Sequence, residues 1–355
     1  MTRDPELSPI RQDEQLDLTR LEPWLRTHLP VGDTPLSIGQ FGGGHANLTY
    51  LLTFGGTQYV LRRPPLGPIA PRSHDMAREY RVLSCLGAAF PLAPTSLALC
   101  TDAAIIGVDF HVMERRHGRV IRDELPLQLA VDRDAVHRLS EMIVDTLADL
   151  HGVDPAAVGL GELGRPQGFV TRQLSSWIAR WHAAKDHDVQ AANTLIAWLE
   201  REVPDADATA LLHNDYKLDN LLLDARDPTI ATAVLDWDMC TRGHPLMDLG
   251  YLLNVWVEAG DDPAERITTA MPSHHRGFLT RQDVVQRYAN RSGFAVDEVR
   301  WFYAFGVFKL MVILQQIYIR YLRRQTQDPR FRDLGHRVNV LATKGRRVTT
   351  QATPV

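Results

Sequence analysis

The side chains best suited to chemistry lie in two short segments, 211–220 and 233–238, each of which begins with an apolar run. In chain order they supply a histidine, a carboxylate, an amide and a second carboxylate: His213, Asp215, Asn220 and Asp236. Phosphoryl transfer depends mostly on positioning and charge neutralisation, and it uses an aspartate that orients the acceptor hydroxyl and takes its proton. Mg²⁺ prefers oxygen ligands and keeps several waters, so one amide and one carboxylate suffice to hold it. The two segments therefore contain what phosphoryl transfer from ATP requires.

Each of these residues also has a structural interpretation. Asp215 could cap a loop, and Asn220 could form a turn by bonding its own backbone. The Asp-Trp-Asp sequence that ends at Asp238 is a rare companion for such a loop, and it favours metal binding by Asn220 and Asp236. His213 is interpreted as structural, bonding the backbone of its loop. Whether Asp238 reaches a second metal or caps the next turn stays open.

The first third of the chain, which must hold part of this chemistry, has the pattern of an antiparallel sheet. Its apolar runs are separated by glycine turns, where glycine supplies a positive φ angle. A helix is expected over 73–83, with Ser73 as its N-cap. The runs predicted to form a five-stranded sheet are 36–41, 48–54, 58–62, 96–100 and 108–113.

From Val131 onward the apolar residues mostly recur at helical spacing. The helical segments are 135–150, 170–185, 191–200, 247–258 and the last 75 residues, 281–355. A strand-rich stretch at 210–235 interrupts them, and another helix is expected at 16–29. The pattern predicts an α+β chain with a small β-rich lobe, a connector near 114–118 and a larger helical lobe.

Composition excludes several classes of protein. The chain has 355 residues, enough for two cores, and a formal net charge of −4, which argues against a nucleic-acid partner bound through bulk positive charge. Its three cysteines are too few and too scattered for a disulfide framework or a zinc site. The most apolar stretch, 301–321, is interrupted by Lys309 and other polar residues, so we expect a buried core helix and no membrane partner. With no signal-like N-terminus, a cytoplasmic location is expected.

The segment 211–220 resembles the catalytic loop of the aminoglycoside phosphotransferase and choline kinase superfamily, whose members have a protein-kinase-like fold. The closer similarity is to the branch related to the kinase domain fused to some acyl-CoA dehydrogenases. The motifs that carry the resemblance occur in the family's order at 39–50, 60–63, 78–81, 112–114, 213–220, 235–238 and 243–249. Two positions depart from the usual pattern: Asn214 replaces a glycine, and His244 replaces an aspartate. Asp248 is interpreted as capping a helix or bracing a loop.

The resemblance implies a two-lobed protein-kinase-like fold and an ATP-dependent small-molecule kinase. The N-terminal lobe, a small antiparallel sheet with a helix, would occupy 1–112 and bind the nucleotide phosphates. A hinge would follow at 113–118. The larger, mainly helical C-terminal lobe, 119–355, would carry the catalytic loop and the acceptor site. In this scheme Asp215 is catalytic, and Asn220 and Asp236 bind Mg²⁺.

The nucleotide-binding residues are expected in the smaller lobe. Arg62 takes the place of the lysine on the third strand of protein kinases, with Glu79 as its partner, and Arg63 is the alternative if the strand register shifts by one. Backbone N–H groups of a glycine-rich loop would approach the β- and γ-phosphates. The loop residues are Gly43, Gly44, His45 and Asn47. At the hinge, the Glu114 carbonyl and Arg116 N–H would bind adenine, with Met113 packed behind the base.

The acceptor is expected to be a small molecule with a hydroxyl group, and the resemblance favours a hydroxyacyl-type substrate. An aminoglycoside or macrolide antibiotic is one alternative, and choline-like compounds or sugar alcohols are another. For an aminoglycoside, the acidic stretch 258–265 could bind ammonium groups, although a solvated turn is the simpler interpretation. Lys217 could contact phosphate or be a solvated loop lysine. A catalytically silent ATP-binding regulatory module is the alternative from another class of protein.

Overall fold

A computed structural model describes residues 6–42, 47–67, 74–205, 207–269, 271–326 and 328–351. The chain divides into two compact units, which are described in turn. The first comprises residues 1–117 together with 232–240, and the second comprises 118–231 together with 241–355.

The first unit is built on an antiparallel sheet. The strands in the described residues are β1 (Leu7–Ser8), β2 (Leu36–Phe41), β3 (Leu48–Phe54), β4 (Thr57–Arg63), β5 (Ser96–Cys100) and β6 (Phe110–Glu114). They pair in the order β1-β2-β3-β4-β6-β5, so the sheet has six strands where five were predicted. The added strand, β1, has two residues that pair with Phe41 and Gln40, which is too short for an alternating pattern in the sequence.

Helices cover the sheet of the first unit. They are α1 (Leu18–His28), α2 (Met76–Leu86) and α3 (Ala103–Ile106). Leu21 and Leu25 of α1 are fully buried among apolar side chains of the sheet. The N-cap of α2 is Asp75, whose carboxylate accepts a hydrogen bond from the Arg78 N–H at 2.9 Å. The prediction of a serine cap was therefore wrong, and Ser73 itself lies outside the described residues.

The segment 232–240 belongs to the first unit, although the sequence placed it in the C-terminal lobe. The Val234 N–H donates to the carbonyl of Leu92, and the Trp237 ring packs edge-on against Phe90 with centroids 5.9 Å apart. These contacts join the segment to the end of the sheet unit. A single boundary along the sequence cannot describe a unit that includes a second, later segment of the chain.

The second unit is mainly helical. Its helices within the described residues are α4 (Leu127–Ala130), α5 (Arg133–His151), α6 (Phe169–Ala184), α7 (Gln190–Arg201), α8 (Leu246–Val255), α9 (Pro263–Arg266), α10 (Arg281–Ser292), α11 (Val299–Leu322) and α12 (Leu334–Val348). The remaining strands among the described residues are β7 (Ala210–Leu212), β8 (Leu221–Leu223), β9 (Ala231–Val234) and β10 (Thr241–Gly243). The fully buried β7 pairs antiparallel with β10 and ends at Leu212, immediately before His213, so the predicted catalytic loop follows it directly.

Helix α11 forms the centre of the second unit and contacts α6, α7, α8 and α12. Among the described residues it is the helix long and apolar enough to cross a membrane by length and composition, with a mean hydropathy of 1.5 in its most apolar window. In that window 61% of the residues are buried inside the protein, as a core helix requires.

Helices α8 and α11 approach each other through two glycines. A Cβ atom placed on Gly306 of α11 would lie 2.5 Å from the Gly250 carbonyl oxygen and 3.0 Å from Tyr251 Cα. Real Cβ atoms do not approach backbone this closely, so both helices need glycine at the crossing. The crossing determines the positions of the side chains that α8 and α11 direct toward the catalytic loop.

Candidate active site

Arg62 is the centre of a buried charge cluster in the first unit. Its Nη2 donates to Asp236 Oδ1 at 2.7 Å, and its Nε lies 3.3 Å from Glu79 Oε2. Burial alone would lower the pKa of Arg62, but the carboxylates of Glu79 and Asp236 outweigh burial and raise it. The guanidinium is therefore charged at any physiological pH. The register of β4 places Arg62, and not Arg63, next to these carboxylates.

Glu79 is 1% exposed, so it is not an ordinary surface charge. Its Oε2 also lies 3.3 Å from Nε2 of His111, a buried residue of β6. Although burial opposes ionisation, Arg62 and His111 hold the pKa of Glu79 below its usual value. An ionised Glu79 fixes the guanidinium of Arg62 in place.

Asp238 lies beside this cluster in the first unit. Its Oδ2 accepts a hydrogen bond from Nδ2 of Asn47 at 3.0 Å, and Asn47 Oδ1 lies 2.8 Å from His74 Nδ1. Burial, together with the charge of Asp236, raises the pKa of Asp238 to about 7. The side chain of Asn47 is thus engaged at both ends, so its predicted phosphate contact would use its backbone N–H. The other residues of the predicted glycine-rich loop, Gly43, Gly44 and His45, lie outside the described residues.

The predicted hinge residues end the last central strand of the sheet. Met113 is 6% exposed in β6 and pairs with Val60 of β4. Glu114 Oε1 accepts from the Thr95 N–H at 2.7 Å and from Arg116 Nε at 2.8 Å. The side chains of Glu114 and Arg116 therefore brace the connector, and only backbone groups are left to serve the predicted adenine contact.

Asp215, the predicted base, lies in the second unit on the loop that follows β7. Asn220 Nδ2 donates to Asp215 Oδ2 at 2.9 Å and to the Asp215 carbonyl at 2.8 Å. Lys217 Nζ lies 3.4 Å from Asp215 Oδ2. Burial and the nearby Asp215 carboxylate raise the pKa of Tyr251. Asp215 and Asn220 are therefore adjacent, as a base and a nearby metal ligand would need to be.

Buried groups hold the backbone that precedes Asp215. Asp248 accepts the N–H groups of His213 and Asn214, at 2.6 and 2.8 Å. His151, 3.3 Å away, and these bonds lower the pKa of Asp248 in spite of its burial. Nδ1 of the fully buried His213 accepts the Asp215 N–H at 3.3 Å. Both His213 and Asp248 thus shape the loop, as the structural interpretation proposed.

The predicted magnesium ligands fit an oxygen-binding cation by their donor chemistry. Because the Asn220 amide nitrogen is used by Asp215, its carbonyl oxygen is the atom suited to a metal, and Asp236 offers a carboxylate. Asn220 belongs to the second unit and Asp236 to the first. In the described part of the chain, no group of three or more His, Cys, Asp or Glu side chains forms a metal cluster. The two predicted ligands are the amide of Asn220 and the carboxylate of Asp236, so they do not make up a group of that kind.

A small cavity of about 160 Å³ opens beside the catalytic loop in the second unit. Its lining combines charged, hydroxyl and apolar side chains, namely Arg122, Lys217, Asp219, Tyr251, Val255, Thr268, Thr269, Met271 and Leu310. Lys217 Nζ is 3.5 Å from Asp219 Oδ2, and the carboxylates of Asp215 and Asp219 raise the pKa of Lys217 against the effect of burial. Lys217 is therefore a charged residue of the site and not a solvated loop lysine.

The acidic stretch 258–265 is used within the protein. Asp261 forms a salt bridge with Arg281, and Glu265, which is 5% exposed, pairs with Arg347 at 2.6 Å. The expectation of a solvated turn was wrong for these residues, because arginines on α10 and α12 draw the carboxylates inward. Because both carboxylates are already paired with arginines, they are also unsuited to binding the ammonium groups of a ligand.

Sequence reasoning missed Tyr251 and Lys309. Tyr251 lies near the Asp215 carboxylate, and Lys309 Nζ donates to the Asn214 carbonyl at 2.5 Å. One signal was available: Lys309 interrupts the most apolar stretch of the chain. Its target could not be inferred, because α11 lies about ninety residues after the loop it contacts.

A family model for the phosphotransferase enzyme family matches residues 37–277, more than half of the chain. The chain belongs to this family. Family membership confirms the prediction of a phosphotransferase with a hydroxyl acceptor, and the protein-kinase-like α+β fold is confirmed with it.

Curated relatives of this phosphotransferase confirm the predicted branch. Acyl-CoA dehydrogenase family member 11 of Gallus gallus is 34% identical over 97% of this chain and 45% of the relative. Family member 10 of Mus musculus is 30% identical over 91% of this chain and 30% of the relative. The probable acyl-CoA dehydrogenase IBR3 of Arabidopsis thaliana is 30% identical over 88% and 40%. The chain thus spans less than half the length of these relatives.

Solved structures agree on the fold. A Ralstonia eutropha JMP134 protein, whose name places it among the aminoglycoside phosphotransferases, superposes with a TM-score of 0.82 at 30% identity, over 96% of this chain and 100% of its own. The aminoglycoside phosphotransferase APH(4)-Ia, in a complex with AMP-PNP and hygromycin B, gives 0.57 at 15% identity, over 94% and 99%. The macrolide 2'-phosphotransferase MphH of Brachybacterium faecium gives 0.57 at 17%, over 92% and 98%. The last two share the fold alone.

Proposed function

We propose that this chain is an ATP-dependent kinase that transfers the γ-phosphoryl group of Mg-ATP to a hydroxyl of a small metabolite. The observation that carries the proposal is the set of contacts around Asp215, whose carboxylate accepts a hydrogen bond from Asn220 and lies near Lys217 and Tyr251, beside a cavity. A silent nucleotide-binding module would have no use for a carboxylate positioned in this way. The complex of APH(4)-Ia with AMP-PNP supports ATP as the phosphate donor.

In the proposed reaction the acceptor oxygen attacks the γ-phosphorus, and the bond from that phosphorus to the β,γ-bridging oxygen breaks. Asp215 orients the hydroxyl and receives its proton. Arg62, held by Glu79, binds phosphate oxygens through its planar fork of donors. Asn220 and Asp236 would hold Mg²⁺, which when bound neutralises charge on the phosphates. Lys217 supplies positive charge next to Asp215.

We propose a hydroxyacyl-type acceptor, whose polar and apolar parts match the mixed walls of the cavity. Thr268 and Thr269 offer hydroxyl groups there, while Val255 and Met271 offer apolar surface. The curated relatives are named for acyl-CoA dehydrogenases, which supports the same class. An aminoglycoside would need unpaired carboxylates, and Asp261 and Glu265 are already bound to arginines.

The test is release of ADP from Mg-ATP by the purified chain across hydroxylated acyl-CoAs, aminoglycosides, macrolides, choline and sugars. We expect turnover with a hydroxyacyl-CoA, and we expect Asp215→Ala to lower kcat by at least a hundredfold with little change in ATP affinity. Asp227→Asn is the matched control, since Asp227 is an exposed turn aspartate on the following loop. Its turnover should equal that of the wild type.

Binding measurements separate the remaining outcomes. Mg-ATP should raise the melting temperature of the wild type and of Asp215→Ala alike, whereas Asp236→Ala should weaken this effect. Stabilisation by Mg-ATP with no turnover on any acceptor would favour the regulatory module. Near-normal turnover of Asp215→Ala would contradict the assignment of the base.

A further inference from the structure

Lys309 is a buried lysine in the middle of the most apolar helix of the protein. It is 8% exposed, and burial lowers the pKa of its amine. Its Nζ donates to the carbonyl oxygen of Asn214 at 2.5 Å and lies 4.6 Å from the ring centroid of Tyr251. An ammonium group is expensive to bury, and a methionine would fill similar space without that penalty. The position of the amine therefore calls for an explanation beyond packing.

The carbonyl that Lys309 binds belongs to the residue immediately before Asp215. Asn214 has a φ of +66°, in the left-handed region that residues other than glycine rarely adopt. Its N–H donates to Asp248 Oδ1 at 2.8 Å, while its carbonyl accepts from Lys309. A buried anion and a buried cation thus hold the two sides of one strained residue. Rotation of that residue would move the Asp215 carboxylate.

Lys309 also contacts a second group near Asp215. Its ammonium lies over the face of Tyr251, and burial and the nearby Asp215 carboxylate together raise the pKa of the Tyr251 hydroxyl. Lys309 lies one helical turn after Gly306, and Tyr251 directly follows Gly250, so the glycine crossing of α8 and α11 brings them together.

We propose that Lys309 is a positioning residue for the phosphoryl-transfer reaction, which sets the orientation of Asp215 through the Asn214 carbonyl and the ring of Tyr251. The inference rests on the proposed function insofar as Asp215 is the base. Its structural content, that Lys309 holds the loop at Asn214, can be measured without turnover.

The test compares the wild type with Lys309→Met, which keeps the length of the side chain and removes the ammonium. We expect kcat for ADP release, with the acceptor found in the panel, to fall at least tenfold while the KM for ATP changes less than twofold. We expect the melting temperature to be equal or higher, because a buried charge is removed. Amide hydrogen exchange in a peptide covering 211–217 should accelerate at least tenfold.

Lys344→Met is the matched control. Lys344 is also buried in the second unit and its Nζ also donates to a backbone carbonyl, that of Asn254 at 2.9 Å, which lies outside the catalytic loop. This variant should leave kcat and exchange in 211–217 within twofold of the wild type. Should Lys309→Met fail to fold, Lys309→Leu, which likewise has no hydrogen-bond donor, gives the same comparison.

The outcomes separate the two proposals. Unchanged exchange in 211–217, or a kcat within twofold of the wild type, overturns the role of Lys309. A loss of kcat equal in Lys309→Met and Lys344→Met also overturns it, because it would reflect a general effect of core substitutions. If the wild type transfers phosphate to no acceptor, the proposed function fails while the exchange comparison still decides whether Lys309 holds the loop.

Discussion

Replacing Gly306 by alanine has two opposite effects on the free energy of unfolding, a gain in helix propensity and a clash with the neighbouring helix. In an unobstructed helix this change stabilises by about 1 kcal/mol, because alanine loses less conformational entropy than glycine. Here the new methyl group would lie 2.5 Å from the Gly250 carbonyl oxygen and 2.8 Å from its carbon. Ordinary contacts between such atoms are about 3.5 Å, so α8 and α11 must separate by roughly 1 Å.

The clash should exceed the gain in helix propensity. Overpacking a core costs about 1–3 kcal/mol, and the upper end applies because the obstructing atoms are backbone and cannot rotate away. We expect a net loss of about 2 kcal/mol in the free energy of unfolding, after subtracting the helix term. Because α8 and α11 carry Tyr251 and Lys309, a displacement of this size should also lower kcat by up to about a hundredfold.

The assay is equilibrium unfolding in urea, followed by steady-state kinetics on the folded variant. Gly87→Ala is the control, because Gly87 has a negative φ and a Cβ there would meet no atom within 4 Å. The control should be neutral or slightly stabilised, with unchanged turnover. If Gly306→Ala were instead stabilised by about 1 kcal/mol, that result would refute the close approach of the two helices and the reasoning from it.

Three further predictions concern buried charges and a helix cap. Asp248→Asn should lower the free energy of unfolding by about 2–3 kcal/mol and lower kcat in steady-state assays, because the NH₂ of the new asparagine would face the N–H of His213 or of Asn214. An unchanged free energy of unfolding together with an unchanged kcat would contradict this. Burial lowers the pKa of Lys344 to about 7. The unfolded state then binds more protons above that pH, so the wild type should gain stability between pH 7 and about pH 10 while Lys344→Met shows no such rise in urea titrations. Parallel pH curves would disprove it. Asp132→Ala removes the N-cap of α5, which accepts the Ala135 N–H at 2.9 Å, and should cost about 1 kcal/mol in urea unfolding without affecting kcat. A loss of activity there would show that α5 does more than support the core.

Much of the fold is visible in the sequence because its elements carry their own periodicity. The predicted helices 135–150 and 170–185 agree within two residues with α5 and α6, and the hairpin of β3 and β4 turns at the predicted Gly55-Gly56. The failures lie where local pattern is absent. Strand β1 has two residues, and the cap of α2 depends on a choice between Ser73 and Asp75 that pattern alone does not decide.

In the candidate site, too, the residues predicted from the sequence are those that are close along the chain or belong to a family motif. Asp215 and Asn220 lie five residues apart in one loop, so their spacing along the chain already predicts that they meet, and their hydrogen bond at 2.9 Å is a local contact. Arg62 and Glu79 were predicted as partners from the family resemblance and lie 3.3 Å apart. The glycine loop at 43–45 stays a prediction.

Residue types and short spacings in this sequence determine the family, the helices and strands, and the candidates for base, metal ligands and phosphate binding. The tertiary structure decides which distant side chains orient them. Asp248 and Lys309 reach the backbone of Asn214 from 34 and 95 residues away. Such contacts produce no periodic pattern in the sequence. They arise from the crossing of α8 and α11 at Gly250 and Gly306, which depends on how closely the two backbones can approach.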